Sequence, residues 1–469
     1  MRGPAVVRFE RERIRVPQQA GHPLTKPLSS LISHPSRPLL RLPRSGYDLG
    51  ITGGITTARP FLTAFFPAVA ARQAAADDAA AASADPYCKF DDPLLTFFTS
   101  SAFLAAAAAS LAAGALSRRA GRRVTLIAAG VAFLGGTALT AGAVHVAMLV
   151  AGRLALGVGI GLANAAAPTF LAEVAPTSRR AAVGTCFQLG TTFAVLASQA
   201  VNFVILGDGT ADPASAWARH GWRLAIGLAA LPAAGLTLGA ALVSDSPASL
   251  VHRGRTAAGK AALVRLRSTR AGAALEEEWR QIQAAASDSV ASAATTRPWA
   301  LPFARRLRPE LLVACAIAAG SQLNGINAIL FYVAPTAASL GASPRGALGA
   351  AVAVGGALWL GTFVSVWVAD RAGRRPLLLQ GGLQMLVCEV ALAAVLGVYM
   401  KSGGGGAAVL PPGAAAAALA LMCLFVLGFS WSWGPLGWVI PAEVWPLEAR
   451  PAGQVQKKKM EGGGRGGRE

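Results

Sequence analysis

Two ionisable residues stand where a carboxylate and a cation are unexpected. Asp48 lies in GYDLGITGGITT (46–57), among glycines at the start of an apolar stretch, and Arg153 lies a few residues into the apolar run AGRLALG. A carboxylate taken out of water binds a proton more readily, and a neighbouring cation opposes that. Inside a bilayer such groups are costly, which makes each a candidate for function. Each also has a plainer reading, Asp48 as a helix cap and Arg153 as a cation snorkelling to an interface. Three amides share the pattern of polar groups in apolar runs: Gln188 in CFQLGTT, and Gln322 and Asn327 in SQLNGIN. Buried amides can bond neighbouring helices or a ligand, since they both donate and accept. The SQLNGIN cluster, which interrupts an apolar run, is the harder to assign to packing alone.

The elements carrying these residues are apolar. Of 469 residues, 54% are hydrophobic and 14% charged, with a mean hydropathy of +0.48, whereas soluble chains carry roughly 25% charge. Runs long enough to cross about 30 Å of hydrocarbon fall near 94–116, 124–146, 148–172, 181–206, 222–243, 310–333, 346–369, 377–399 and 414–442. The piece at 46–57 is a partial span. An all-α polytopic membrane protein is expected. The net charge of +20 sits between these runs and in the two tails, as cytoplasmic loops require, so nucleic-acid binding is not indicated. No nucleophile–base pair, metal-ligand spacing or phosphate loop is present. GVGIG (157–161) lies within a helix with no preceding strand and reads as close helix packing. Neither an enzyme nor a cofactor is expected.

The chain repeats itself. SRRAGRR (117–123) recurs as ADRAGRRP (369–376), and EVAPTSRR (173–180) recurs as EVWPLEAR (443–450), in the same order. Repeated halves are typical of secondary transporters. The expected organisation is a basic, Pro-rich tail (1–45) without the apolar core of a signal peptide, a first helix bundle (46–243) with an outer lid segment (58–93), a cytoplasmic linker (244–309), a second, incomplete bundle (310–454) and a basic, Gly-rich tail (455–469). Within the linker, EEEWRQIQ reads as a short amphipathic helix.

GYDLGITGG, YCKFDDPLLTFFTSS, AGRLALGVGIGLANAAAPTFLAEVAPTSRR, SQLNGINAILFY, ADRAGRR and WSWGPLGWVIPAEVWPLEARPAGQ together resemble the sugar porters of the major facilitator superfamily, and within them the plant-type monosaccharide/proton symporters. The resemblance runs from Gly46 to Gln454. It implies two pseudo-symmetric bundles, with about ten of twelve helices present, the first partial and the last two missing. It implies that Asp48 binds the coupling proton and Arg153 competes for the carboxylate, so that sugar and proton raise each other's affinity. It places Gln188, Gln322, Asn327 and Trp438 (GPLGWVIP) at the sugar, amides meeting the hydroxyls and the indole covering the apolar ring face. Glu173, Arg180, Asp370, Arg374, Glu443 and Arg450 would form cytoplasmic charge networks holding the two halves together. Cys88 is the one cysteine in a polar segment and a candidate disulfide former, but the family's partner cysteine is absent.

The sequence departs from the family in places. Ser321 replaces a usual Gln and Leu358 a usual sugar-binding Asn, so two hydroxyl partners are lost and substrate choice is expected to shift. SDSPASL (244–250) replaces a more acidic motif. HPSRPLLRLPRS precedes GYD where the family has an apolar half-helix. Both abrupt edges are expected to be splice or gene-model products. The expected function is hexose uptake coupled to proton symport across the plasma membrane, with monosaccharide, proton and bilayer as partners. The alternative is a non-transporting truncated product or a sugar-sensing regulatory membrane protein.

Overall fold

The computed structural model describes residues 44–77, 92–175, 180–207, 216–267, 272–295, 308–339, 342–402 and 411–444. Among them every regular element is a helix. Nine helical stretches among the described residues are long and apolar enough to cross a membrane. They carry outward-facing leucines and valines such as Leu104, Leu111, Leu231, Leu383 and Val390, each more than 60% exposed, as a lipid-facing surface requires.

The first half runs α1 (Arg44–Ile55), α2 (Arg59–Phe65), α3 (Pro67–Asp77), α4 (Pro93–Ala120), α5 (Arg122–Ala141), α6 (Val146–Val174), α7 (Arg180–Leu206), α8 (Ala216–Gly227) and α9 (Ala230–Leu242). α1 is a half-span of 12 residues. The linker folds as α10 (Pro247–His252), α11 (Thr256–Leu266) and α12 (Ala273–Thr295). The amphipathic helix expected at EEEWRQIQ is thus the first half of a 23-residue element, anchored by buried Trp279. The second half runs α13 (Arg308–Leu323), α14 (Ile326–Ser339), α15 (Pro344–Ala372), α16 (Arg374–Ser402), α17 (Pro412–Trp431) and α18 (Trp433–Val444).

The repeated RAGRR boxes build the same turn twice. Gly121 (φ +97°) ends α4 directly before α5, and Gly373 (φ +81°) ends α15 directly before α16. A residue with a side chain would be strained at that φ. The helix starts also echo one another, because Asp92 before Pro93 and Ser343 before Pro344 each cap with a side-chain oxygen, and proline suits the first helical position. Where the sequence suggests continuous spans, three are broken. The run 222–243 divides between α8 and α9, 310–333 divides at Gly325 (φ +83°), and 414–442 divides at Ser432.

Small residues let the helices approach closely. In GVGIG, a Cβ on Gly157 or Gly161 would overlap the Ala102 or Ala106 carbonyl of α4, and one on Gly159 would stand 2.7 Å from the Phe133 ring of α5. The segment after α1 folds back over the first half, where Phe61, Phe65 and Phe66 pack with Phe98 and Trp222. The two halves meet through α1 against α14 and α7 against α15. Val195 of α7 sits in the same apolar cluster as Val354 and Leu358 of α15.

Candidate functional site

Arg153 is 2% exposed at the centre of the first half. Its Nη1 donates to both oxygens of Asp48, at 2.6 and 2.8 Å, and to Thr52 Oγ1 at 3.1 Å. The rest of the guanidinium belongs to α4. Nε donates to the Phe98 carbonyl and Nη2 to the Thr99 carbonyl, each at 3.2 Å, and the cation lies 5.1 Å from the Phe98 ring centroid, within the range of a favourable cation–π contact. Beside the pair lies a small cavity lined by Asp48, Thr52, Phe98, Thr137, Thr140 and Arg153. Its volume, about 20 Å³, is enough for one water molecule.

Asp48 reaches this place because α1 is pressed against α7. A Cβ on Gly46 would overlap the Thr191 carbonyl, and one on Gly50 would overlap Ser198 Oγ. Asn202 of α7 donates Nδ2 to the Gly50 and Ile51 carbonyls at 3.1 and 3.0 Å. On its other face, α1 meets the second half, where a Cβ on Gly53 would stand 2.8 Å from the Phe331 carbonyl of α14. The glycines of GYDLGITGG are therefore contact points on two sides of one short helix. Thr52, Phe98 and Thr99 are not singled out by sequence. The three meet Arg153 only when α1, α4 and α6 are packed.

The amide and aromatic candidates lie farther along the interface between halves. Asn327 Nδ2 donates to Gln322 Oε1 at 2.7 Å across the α13–α14 break. Gln322 is exposed, and Gln188 and Asn327 are half-buried. Trp438, 45% exposed, meets Phe187 of α7 edge-on at 6.2 Å between centroids, next in sequence to Gln188. A Cβ on Gly437 would stand 3.4 Å from Ser321 Oγ, so Trp438 also neighbours the SQLNGIN segment. Ser321 is turned inward, its hydroxyl donating to the Ala318 carbonyl at 2.9 Å. Leu358 is 2% exposed within the second-half core.

At the opposite end of the first half, Glu173 accepts from Arg122 Nη2 at 2.9 Å and from Ser246 Oγ. Asp245 pairs with Arg253 and accepts from the Arg123 and Ser246 backbone N–H groups at 3.3 and 2.9 Å. Arg253 Nη1 donates to the Ala120 carbonyl at 2.9 Å. Arg267 donates to Glu278 and to the Val174 carbonyl. These described pairs tie the first half to the linker, whereas the resemblance implied networks between the halves. Glu173 is met by Arg122 of the SRRAGRR box and by Ser246 of the SDSPASL departure. The side chains of Arg180, Asp370 and Glu443, and the whole of Arg450 and Cys88, lie outside the described residues; Arg374 begins α16 and is half-buried.

Paired helix bundles with a repeated turn, a broken helix beside an amide cluster, and a carboxylate–guanidinium pair buried in one half define a membrane carrier. The family model described as "Sugar (and other) transporter" matches residues 43–457, and the chain belongs to that family. It is 44% identical over 409 residues to sugar transport protein MST6 of Oryza sativa subsp. japonica, covering 87% of this chain and 74% of the relative. It is 43% identical to H(+)/hexose cotransporter 2 of Parachlorella kessleri, covering 87% and 72%, and 42% identical to sugar transport protein 13 of Arabidopsis thaliana, covering 87% and 74%. Among solved structures, the fold is shared with the xylose transporter XylE from E. coli in a partially occluded inward-open conformation (TM-score 0.65, 23% identity, covering 88% of this chain and 83% of that one). It is shared too with the proton:xylose symporter XylE of the major facilitator superfamily bound to 6-bromo-6-deoxy-D-glucose (TM-score 0.68, 24% identity, 88% and 82%).

Proposed function

We propose that this multi-pass membrane protein carries a hexose together with a proton across the plasma membrane by alternating access. The observation that carries the reading is the buried Arg153–Asp48 pair, because its bonds are divided between two helices. Arg153 holds α4 through the Phe98 and Thr99 carbonyls and holds α1 through Asp48 and Thr52. A proton on Asp48 removes the charge attraction on the α1 side while leaving the α4 side intact. α1 is then freer to move, and it is the helix that touches α14 through Gly53. α14 carries Asn327, bonded to Gln322. Protonation at one end of this chain of contacts and sugar binding at the other therefore bias the same packing, which is the requirement for coupling.

In this reading Gln188, Gln322 and Asn327 bond sugar hydroxyls, and Trp438 covers the apolar ring face. The relatives' names, sugar transport protein and H(+)/hexose cotransporter, support the substrate class. The test is uptake of labelled glucose in a transport-deficient host across a range of external pH. Proton-dependent accumulation is expected, and Asp48→Asn should abolish it. Accumulation that keeps its full proton dependence in Asp48→Asn would sink the coupling role.

A further inference from the structure

Gln199 of α7 is 2% exposed, and neither its amide oxygen nor its amide nitrogen has a hydrogen-bond partner among the described residues. It sits where the two halves touch. A Cβ on Gly50 of α1 would stand 3.2 Å from Gln199 Cγ, and one on Gly355 of α15 would overlap Gln199 Oε1. The amide is thus enclosed between a glycine of the first half and a glycine of the second.

Its register along α7 gives this burial a meaning. Gln188, Thr192, Val195, Gln199 and Asn202 recur at spacings of four, three, four and three, which puts them on one helix face. That face borders both halves, since Val195 joins the second-half core and Asn202 donates to the Gly50 and Ile51 carbonyls of α1. Gln199 lies roughly 16 Å from Gln188 along the helix, at the end of the bundle that carries α2 and α3, opposite the Arg-rich turns. On the proposed topology this is the outer end. When the halves part there, α7 and α15 separate and the amide meets water. When they close, as here, it loses that water and gains no protein partner.

We propose that Gln199 is the residue that keeps the outer contact between the halves from closing too firmly. An apolar side chain at this place would pack against Gly355 without loss of hydrogen bonding. An enclosed amide disfavours the closed arrangement by about tenfold in population or more, because an unmet buried polar group carries its full desolvation penalty. The glycine at 355 is the complement of this device, since a side chain there would overlap the amide oxygen. The inference rests on the alternating-access reading of the site, but not on Asp48 or on the identity of the sugar.

The test is closure of the outer contact, read without transport. Ala351 lies one turn before Gly355 on the same face of α15 and is buried. Ala351→Cys in the full chain, in intact cells, reports separation of α7 from α15 by its labelling rate with a membrane-impermeant thiol reagent, against the background of the chain without that cysteine. Gln199→Leu should slow labelling about tenfold. Gly355→Ala, whose methyl displaces the amide, should speed it. Both variants are first checked for surface expression and a monodisperse detergent profile. If Gln199→Leu does not pass, the near-isosteric Gln199→Met takes its place with the same expectation. Labelling that is unchanged or faster in the apolar variant, or not faster in Gly355→Ala, overturns the proposal. Because labelling needs no sugar or proton gradient, failure here is distinguishable from failure of the symport reading, which the uptake of labelled glucose tests.

Discussion

Arg153 bonds Asp48 through one nitrogen, Nη1, which reaches both carboxylate oxygens, while its Nε and Nη2 are committed to the Phe98 and Thr99 carbonyls. The guanidinium is thereby fixed to α4 and presents one nitrogen to α1. Arg153→Lys keeps the charge but not this divided geometry, because an ammonium cannot reach three directions in one plane. It should lower both thermal stability and coupled uptake. Arg153→Leu leaves Asp48 partly buried without its cation and should cost about 3–5 kcal/mol. Adding Asp48→Asn to Arg153→Leu should restore much of that loss. Thermal melts of the four chains form a double-mutant cycle, and additive losses would argue against the pair.

The glycines of α1 lead to a second expectation. Gly46→Ala drives a methyl into the Thr191 carbonyl of α7, and backbone yields poorly. Overpacking of this kind costs about 1–3 kcal/mol, and it should also impair uptake by displacing Asp48 from Arg153. Gly135→Ala is the control, since nothing lies within 4 Å of that position. There alanine should be neutral or slightly stabilising through its better helix propensity. Melting temperatures of the two variants should move in different directions or by clearly different amounts.

The Arg122–Glu173 pair is 5% and 3% exposed, so removing one partner strands a charge. Arg122→Ala should destabilise the protein by about 3–5 kcal/mol, while the double change Arg122→Ala with Glu173→Gln should cost less. Ser246→Ala removes a further donor to Glu173 and the cap of α10. It should cost about 1 kcal/mol. Denaturation monitored by tryptophan fluorescence would rank the three.

His252, at the end of α10, lies outside the spans. Burial first, and then the Arg122 cation, hold its imidazole below the ordinary 6.5. The unfolded chain therefore takes up a proton near its ordinary pKa while the folded chain does not. Stability contributed by neutral His252 is full above about pH 6.5 and declines as the pH falls below it, toward the depressed folded value. Thermal melts from about pH 7.5 to about pH 5.5 should show a shallower decline for His252→Gln than for the parent. Equal slopes would remove His252 as a contributor.

Much of the architecture is legible along the chain because its causes are local. The apolar runs mark the spans, the paired RAGRR boxes mark the paired Gly121 and Gly373 turns, and Asp92–Pro93 marks the start of α4. Residue type also indicates that Asp48, Arg153 and the SQLNGIN amides need explaining. The breaks at Gly325 and Ser432 are less legible, since apolar composition continues through both and hydropathy does not register a backbone turn. Ser246 could have been found as the side chain before Pro247 in SDSPASL, a capping pattern. Nothing local marks Gln199.

By itself, then, the sequence determined a membrane carrier of repeated halves, with a carboxylate and a cation in its interior. Only the tertiary structure decided which groups meet. Asp48 and Arg153 are 105 positions apart, and Glu173 and Ser246 are 73 apart. Such pairings depend on how glycine-faced helices press together, and so does the enclosure of Gln199 between Gly50 and Gly355. Helix formation is a local balance of backbone bonding and propensity, whereas close packing is decided by the shape of surfaces that come from distant parts of the chain.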